Sequence, residues 1–142
     1  MGQWETILET MYAMGVIDKI YVSNGGPMTI VANDSTTTTV INKTTDPNFE
    51  FIIKRFVLWC DDVNVTFKTD GYGPPEAFSA TDDPFDLGFT LRPVDTNVTL
   101  TITNSDASNH LYQYWMITYK LKGTVWQSFV QTFLNPLVKM EA

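Results

Sequence analysis

From Phe49 to Leu121 the chain alternates apolar and polar residues, run after run, and a period of two belongs to a strand with one face buried. Phe49, Phe51 and Ile53 alternate with Asn48, Glu50 and Ile52, and Val63, Val65 and Phe67 with Asn64, Thr66 and Lys68. Phe89 and Leu91 alternate with Thr90 and Arg92, and Val98, Leu100 and Ile102 with Asn97, Thr99, Thr101 and Thr103. Leu111 to Leu121 forms a last long strand, with Trp115, Ile117 and Tyr119 on one face and Tyr112 and Tyr114 on the other. Thr36 to Ile41 adds a β-branched run. At Phe56, Val57, Leu58 and Trp59 both faces turn apolar, which predicts a central strand covered on both sides, or a bulge. Upstream, IYVS, Asn24-Gly25 and MTIVA predict a hairpin, because both turn residues tolerate positive φ.

Proline and glycine fall in the breaks between these runs: TTDPN, TDGYGPP, TDDPFD, RPVDTN and TNSDASN. Seven or eight short strands so punctuated predict an all-β fold, an antiparallel β-sandwich or jelly roll. No strand alternates with a helix, which argues against a parallel α/β sheet.

The two ends change period. Trp4, Ile7, Leu8 and Met11 follow the i, i+3, i+4, i+7 spacing of one helical face, with Gly15 as a left-handed stop. Trp126, Phe129, Val130, Phe133 and Leu134 form a second stripe, opposite Gln127, Ser128, Gln131 and Thr132. Thr124 is placed to cap that helix and Pro136 to end or kink it. An extended reading, through Val125, Phe129 and Phe133, is the alternative. The expected organisation is one domain over 1–142: an N-terminal helix (1–15), a β-sandwich (16–122) and a C-terminal helical segment (123–142).

A formal charge of −7, from nine Lys and Arg against sixteen Asp and Glu, argues against nucleic acid and against an anionic membrane surface as partners. No apolar run is long enough to span a bilayer. The first twenty residues carry Glu5, Glu9 and Asp18 where a signal peptide would be basic and then apolar, so synthesis and use from a host cytosol are expected. The single cysteine, Cys60, lies within FVLWC and reads as a small buried hydrophobe. Four Asn-x-Ser/Thr sequons, at Asn33, Asn42, Asn64 and Asn97, read as unused by-products of a Thr-rich chain.

Catalytic chemistry finds little footing. The one histidine, His110, has no ligand spacing or nucleophile motif beside it and reads as a lone residue at a strand edge. No phosphate loop, dinucleotide fingerprint, G-x-S-x-G or H-E-x-x-H occurs, so no cofactor is expected. Asp82, Asp83 and Asp86 could gather loop oxygens for calcium, although loop aspartates more commonly make Asx turns. No pair of carboxylates stands out for glycoside hydrolysis. Trp115 and Ile117 are assigned to the core, while Tyr112 and Tyr114 fit either a packed face or a subunit interface.

One sandwich has limited inner surface, so the two terminal stripes must cover its outer faces or dock onto other subunits. Trp4, Ile7, Leu8, Met11, Tyr112, Tyr114, Trp126, Phe129 and Phe133 are the interface candidates. The runs FEFIIKRFVLWCDDVNVTFKTDG, FTLRPVDTNVTLTITNSD and HLYQYWMITYKL, spanning roughly 48–122, give a strand texture that resembles the small jelly-roll virion proteins of tailed bacteriophages, such as capsid decoration and minor head or tail proteins. That resemblance implies a non-catalytic virion protein that binds copies of itself, as a trimer in many members, and grips neighbouring capsid or tail subunits through its terminal segments. A carbohydrate-binding sandwich, with a row of exposed aromatics, and an enzyme with a dispersed carboxylate site are the alternatives from other classes.

Overall fold

A computed structural model describes residues 2–134. The chain runs α1 (Gln3–Ala13), β1 (Asp18–Ser23), β2 (Met28–Ile30), β3 (Ser35–Ile41), β4 (Phe49–Cys60), β5 (Val65–Asp70), β6 (Phe85–Asp86), β7 (Val98–Asn104), β8 (His110–Lys122) and α2 (Gly123–Phe129), with a π-helical continuation over Val130–Leu134. The strands form two antiparallel sheets: β1-β8-β4-β6, with β2 also on β8, and β3-β7-β5. Phe78 extends the second sheet by an isolated bridge to Phe67. The pairing is nested. The first strands pair with the last, β3 with β7, β4 with β6, and β5 with the Phe78 segment between them.

Phe51, Ile53, Phe56, Leu58, Tyr112, Tyr114 and Met116 of the larger sheet meet Val65, Phe67, Val98, Leu100 and Ile102 of the smaller in one core. Cys60 is buried there as a free thiol. β4 is central, lies between β8 and β6, and carries a register irregularity between Ile53 and Arg55. The irregularity falls just ahead of the doubly apolar stretch, whose Phe56 and Leu58 enter the core while Val57 and Trp59 lie on the outer face. Below it a second cluster forms on the outer face of the larger sheet. There Ile52, Tyr119 and Leu121 are sealed by Leu8 of α1, Ile17 and Phe129 of α2.

Several expectations need correction. IYVS and MTIVA do not pair with each other; β1 and β2 lie end to end along β8. The register advances by two residues across the gap, from Ser23↔Trp115 to Met28↔Tyr112. Asn24 spans it: its amide donates to Tyr112 O (3.2 Å) while its Oδ1 accepts from Tyr114 N (3.1 Å), standing in for a missing peptide. Gly25 and Gly26, at φ +84° and +141°, absorb the extra chain. A turn-forming dipeptide thus makes a bulge because β8 is long enough to bind both halves. Phe89 and Leu91 form no strand; they sit in a loop and pack under the helices. Val63 lies outside β5 and is exposed. Thr124 does not cap α2, which starts after Lys122 without a side-chain cap. Pro136 and the rest of 135–142 lie outside the described residues.

One polar group fixes α1 to the sheet. Glu9 of α1 pairs with Lys19 of β1 (2.7 Å) and Lys54 of β4, and accepts a hydrogen bond from Tyr119 of β8 (2.7 Å). Burial works against ionisation of Glu9, but the hydrogen bonds from Lys19, Lys54 and Tyr119 outweigh it and hold the carboxyl at about 2. The Tyr119 hydroxyl is pushed far up by burial and by the carboxylate it faces.

A carboxylate depressed from 4.5 to about 2 on folding contributes stability that is complete above the unfolded value and is lost as pH falls toward the folded one. Glu9→Ala should cost about 2 kcal/mol at neutral pH, after discounting for partial solvent contact. It should also flatten the fall in Tm between about pH 4.5 and pH 2, both read by thermal denaturation. An unchanged acid limb would mean that Glu9 does not anchor the helix.

Candidate docking face

The outer faces of the two sheets differ in kind. On the smaller sheet the outward residues of β3 and β7 are hydroxylated. Ser35 bonds Thr103 (3.0 Å) and Thr37 bonds Thr101 (2.9 Å) side chain to side chain, in a ladder set by the β3–β7 register. On the larger sheet the outward row is Tyr21, Ile117 and Arg55, then Trp115 beside Val57, then Gln113 beside Trp59. Tyr21 is 66% exposed. The Arg55 guanidinium lies 5.0 Å from the Trp115 ring centroid and is held there by Asp86 (2.9 Å). Trp59, Trp115, Gln113, Pro27 and Pro84 surround a hollow of 310 Å³. Arg55 does not line it, so the hollow uses another part of the Trp115 indole.

The lower half of that face carries the helices. Trp4 meets Phe129 edge-on (6.0 Å), Trp126 stacks on Phe129 (5.5 Å), and Phe133 follows (5.1 Å), which interlocks α1 with α2. Between them lies a groove of 630 Å³, with Ile7, Met11 and Val16 on one side and Val125, Phe129 and Phe133 on the other. Its rim is hydroxylated, but Thr6 and Thr10 donate back to carbonyls of their own helix (3.0 and 2.9 Å) and leave the walls apolar. Val16 is 46% and Phe133 38% exposed.

The structure divides the interface candidates. Leu8 and Phe129 are buried within the molecule, so neither offers surface to a partner. Trp4, Ile7, Met11 and Trp126 are half-buried beside them, and Phe133 stands open. Both helices cover their own sheet, contrary to docking onto other subunits with their full stripes. The β8 faces are also reversed. Tyr112 and Tyr114, each 8% exposed, point into the core and stack on each other, while Trp115 and Ile117 point outward. The reason is the sheet's change of cover along its length. Tyr119 is outward too, but it is buried because the helices lie over that end. Tyr21, Trp59 and Arg55 were not among the candidates; only the β1–β8 and β4–β8 registers bring them together, and pairing at that sequence distance leaves no local signal.

His110 is not a lone edge residue. Its Nε2 lies 2.7 Å from Asp106 Oδ2 and 3.7 Å from Asp62 Oδ2, and its Nδ1 lies 3.5 Å from Asp61 Oδ1. Among the described residues, only Asp62, Asp106 and His110 gather potential metal ligands; Asp82, Asp83 and Asp86 do not. Asp86 instead accepts from Arg55 and from the Phe56 and Gly88 amides. In the histidine cluster Asp61, Asp62 and Asp106 already accept the Leu111, Asn64 and Ala107 amides (3.0, 2.9 and 2.8 Å). His110 thus joins Asp61 and Asp62 of the β4–β5 loop to Asp106 of the β7–β8 loop. Asn97 is likewise engaged, accepting from Lys43 N (2.7 Å) and Thr44 N (3.2 Å).

Compared with known proteins, the chain matches no family model, no curated protein and no solved structure.

The hydrogen bond to Asp106, with the Asp62 and Asp61 charges behind it, raises the His110 pKa above its ordinary 6.5, and the same bond lowers that of Asp106. A base raised on folding stabilises below its unfolded value and loses that contribution as pH climbs through the folded one. The sole histidine should therefore titrate by NMR with a midpoint above 6.5. Asp106→Asn should bring the midpoint down. A wild-type midpoint at or below 6.5 would contradict the clamp.

Proposed function

We propose that this chain is a non-catalytic structural protein of a viral particle, one that binds neighbouring capsid or tail subunits and stabilises their assembly. The observation that carries this reading is the nested pairing of strands. We read this nesting as that of a jelly roll, a long antiparallel ribbon rolled across two sheets, counting β1/β2 as the first strand and the Phe78 segment as the fifth, beside β5 in the smaller sheet. Such double-sheet rolls build viral capsid proteins as well as lectins. The link from fold to role is one of analogy.

The distribution of surface supports a holding role. The groove between α1 and α2 is apolar, shallow and rimmed by hydroxyls, which is the anatomy of an interface core with a polar margin. Phe133 and Ile7 are its anchors; Leu8 and Phe129 hold the walls in place from beneath. Self-association and contact with other virion proteins both fit a chain with one sticky side and one hydroxylated side.

A second reading, a carbohydrate-binding module, is favoured by one observation. Trp59 and Trp115 are diagonal neighbours on an outer face and line, with Gln113, a hollow of 310 Å³. Aromatic rings beside an amide are the side chains that bind a sugar ring. If that reading holds, neutral monosaccharides should quench tryptophan fluorescence saturably, and Trp59→Ala should abolish the effect.

For the structural reading, the chain should band with intact particles of the virus that encodes it, at a fixed copy number, when gradient fractions are measured by quantitative mass spectrometry. Phe133→Glu should release it from the particle, with far-UV circular dichroism as the check that the variant is folded. Recovery of the wild-type chain only in soluble host fractions would overturn the proposal.

A further inference from the structure

An antiparallel sheet edge presents a row of unpaired N–H and C=O groups, and folded proteins blunt such edges with charge, proline, bulges, brevity or cover. Of the four edges of this molecule, three are blunted. β1 begins Asp18-Lys19, and the line it shares with β2 is broken by Gly25-Gly26-Pro27. β6 is two residues long, follows Pro84 and ends on Asp86. β5 carries Lys68 and Asp70 and is covered at its centre by Phe78, whose N–H and C=O both bond Phe67 (3.0 and 2.7 Å).

β3 has none of these devices along most of its length. Ser35-Thr36-Thr37-Thr38-Thr39 contains no charge and no proline, and its register irregularity falls after Thr39. β7 pairs with one side of it, and among the described residues no hydrogen bond reaches the other. Ser35, Thr36, Thr37 and Thr39 are exposed.

We infer that this edge is a self-association site, at which a second copy of the chain adds its own β3 antiparallel about a two-fold axis through Thr37, joining two three-stranded sheets into one of six. The run is self-complementary in that register. Thr37 faces its own copy, Ser35 faces Thr39 and Thr36 faces Thr38, all hydroxyl pairs of a favourable cross-strand kind. The Ser35–Thr103 and Thr37–Thr101 ladder then continues across the axis.

Charge selects the place. Two copies of a chain at −7 repel, and the neutral β3 run is the edge where they approach at least cost. The nearest acid, Asp34, falls opposite Val40 of the second copy and so avoids its own counterpart. A two-fold interface of this kind is isologous and closes at two chains. The inference does not depend on residence in a virion.

The test is the mass of the full chain in solution, by sedimentation velocity at high micromolar concentration, with far-UV circular dichroism as the check on folding. Wild type is expected at twice the chain mass. Thr37→Lys and Thr37→Glu each set like charges face to face across the axis and should weaken association at least about tenfold. An equimolar mixture of T37K and T37E should return to the double mass, since lysine then meets glutamate, and that recovery also shows both variants are folded. Wild type that is monomeric or trimeric overturns the inference. So do single variants that remain dimeric, and so does a mixture that stays monomeric.

Discussion

A β-sheet has two faces, and in a two-sheet protein only one of them meets the other sheet. Every larger feature here follows from how the second faces are dealt with. The smaller sheet can leave its outer face in water because β7 sets Thr99, Thr101 and Thr103 outward against Val98, Leu100 and Ile102 inward, and β3 adds Ser35, Thr37 and Thr39 to the outer row. The larger sheet cannot. Ile52, Tyr119 and Leu121 are outward residues of its two central strands, and left bare they would expose a contiguous apolar patch beside the aromatic row. The helices exist to cover them. Leu8 and Phe129 are buried as fully as residues between the sheets, although they lie outside the two-sheet core.

Electrostatics then makes the cover specific. Apolar contact alone would let α1 slide or rotate over the sheet, since such contact is non-directional. Glu9 removes that freedom: a single carboxylate is bound by side chains from β1, β4 and β8, three strands in a row of the sheet. The cost of burying the charge is offset because Lys19 and Lys54 reach it from β1 and β4, on either side of β8, and Tyr119 of β8 donates between them. His110 does the corresponding job at the other end of β8, tying the β4–β5 loop to the β7–β8 loop. The two ion clusters thus sit at opposite ends of the longest strand.

What could be read from the sequence was what depends on near neighbours. Period-two alternation over 98–103 and 65–67, the β-branched run at 36–41, and the helical spacing of Trp4, Ile7, Leu8 and Met11 are local properties. The structure agrees with each of them. Thr124 and Val63 are local misreadings of where an element begins, while the others share one cause: they depended on a distant partner. Asn24-Gly25 has the chemistry of a hairpin turn, but the length of β8 makes it a bulge. Which face of β8 is inside was decided by registers with β1 and β4, where Asp18 meets Lys120 and Phe49 meets Lys122, and neither register is visible in the strand itself. Trp115 and Tyr114 are both large and amphipathic, so residue type could not choose between them. The Glu9 and His110 clusters were illegible for the same reason, since their members lie 4 to 110 residues apart.

Faces and edges give such a protein two separate means of association, and they have different physics. A face binds through apolar area, tolerates variation in its partner and depends on how much of that area its own chain has already hidden. Here the helices hide much of it, and what remains is a groove. An edge binds through backbone hydrogen bonds, which any extended chain can supply, so selectivity must come from shape, register and charge. A neutral threonine run on an otherwise acidic chain supplies charge selection. The two routes do not compete for the same residues, because the groove lies over the larger sheet and β3 borders the smaller. Under the two proposals above, a copy on β3 and a different neighbour in the groove would be held at once, which is the requirement a lattice places on each of its parts.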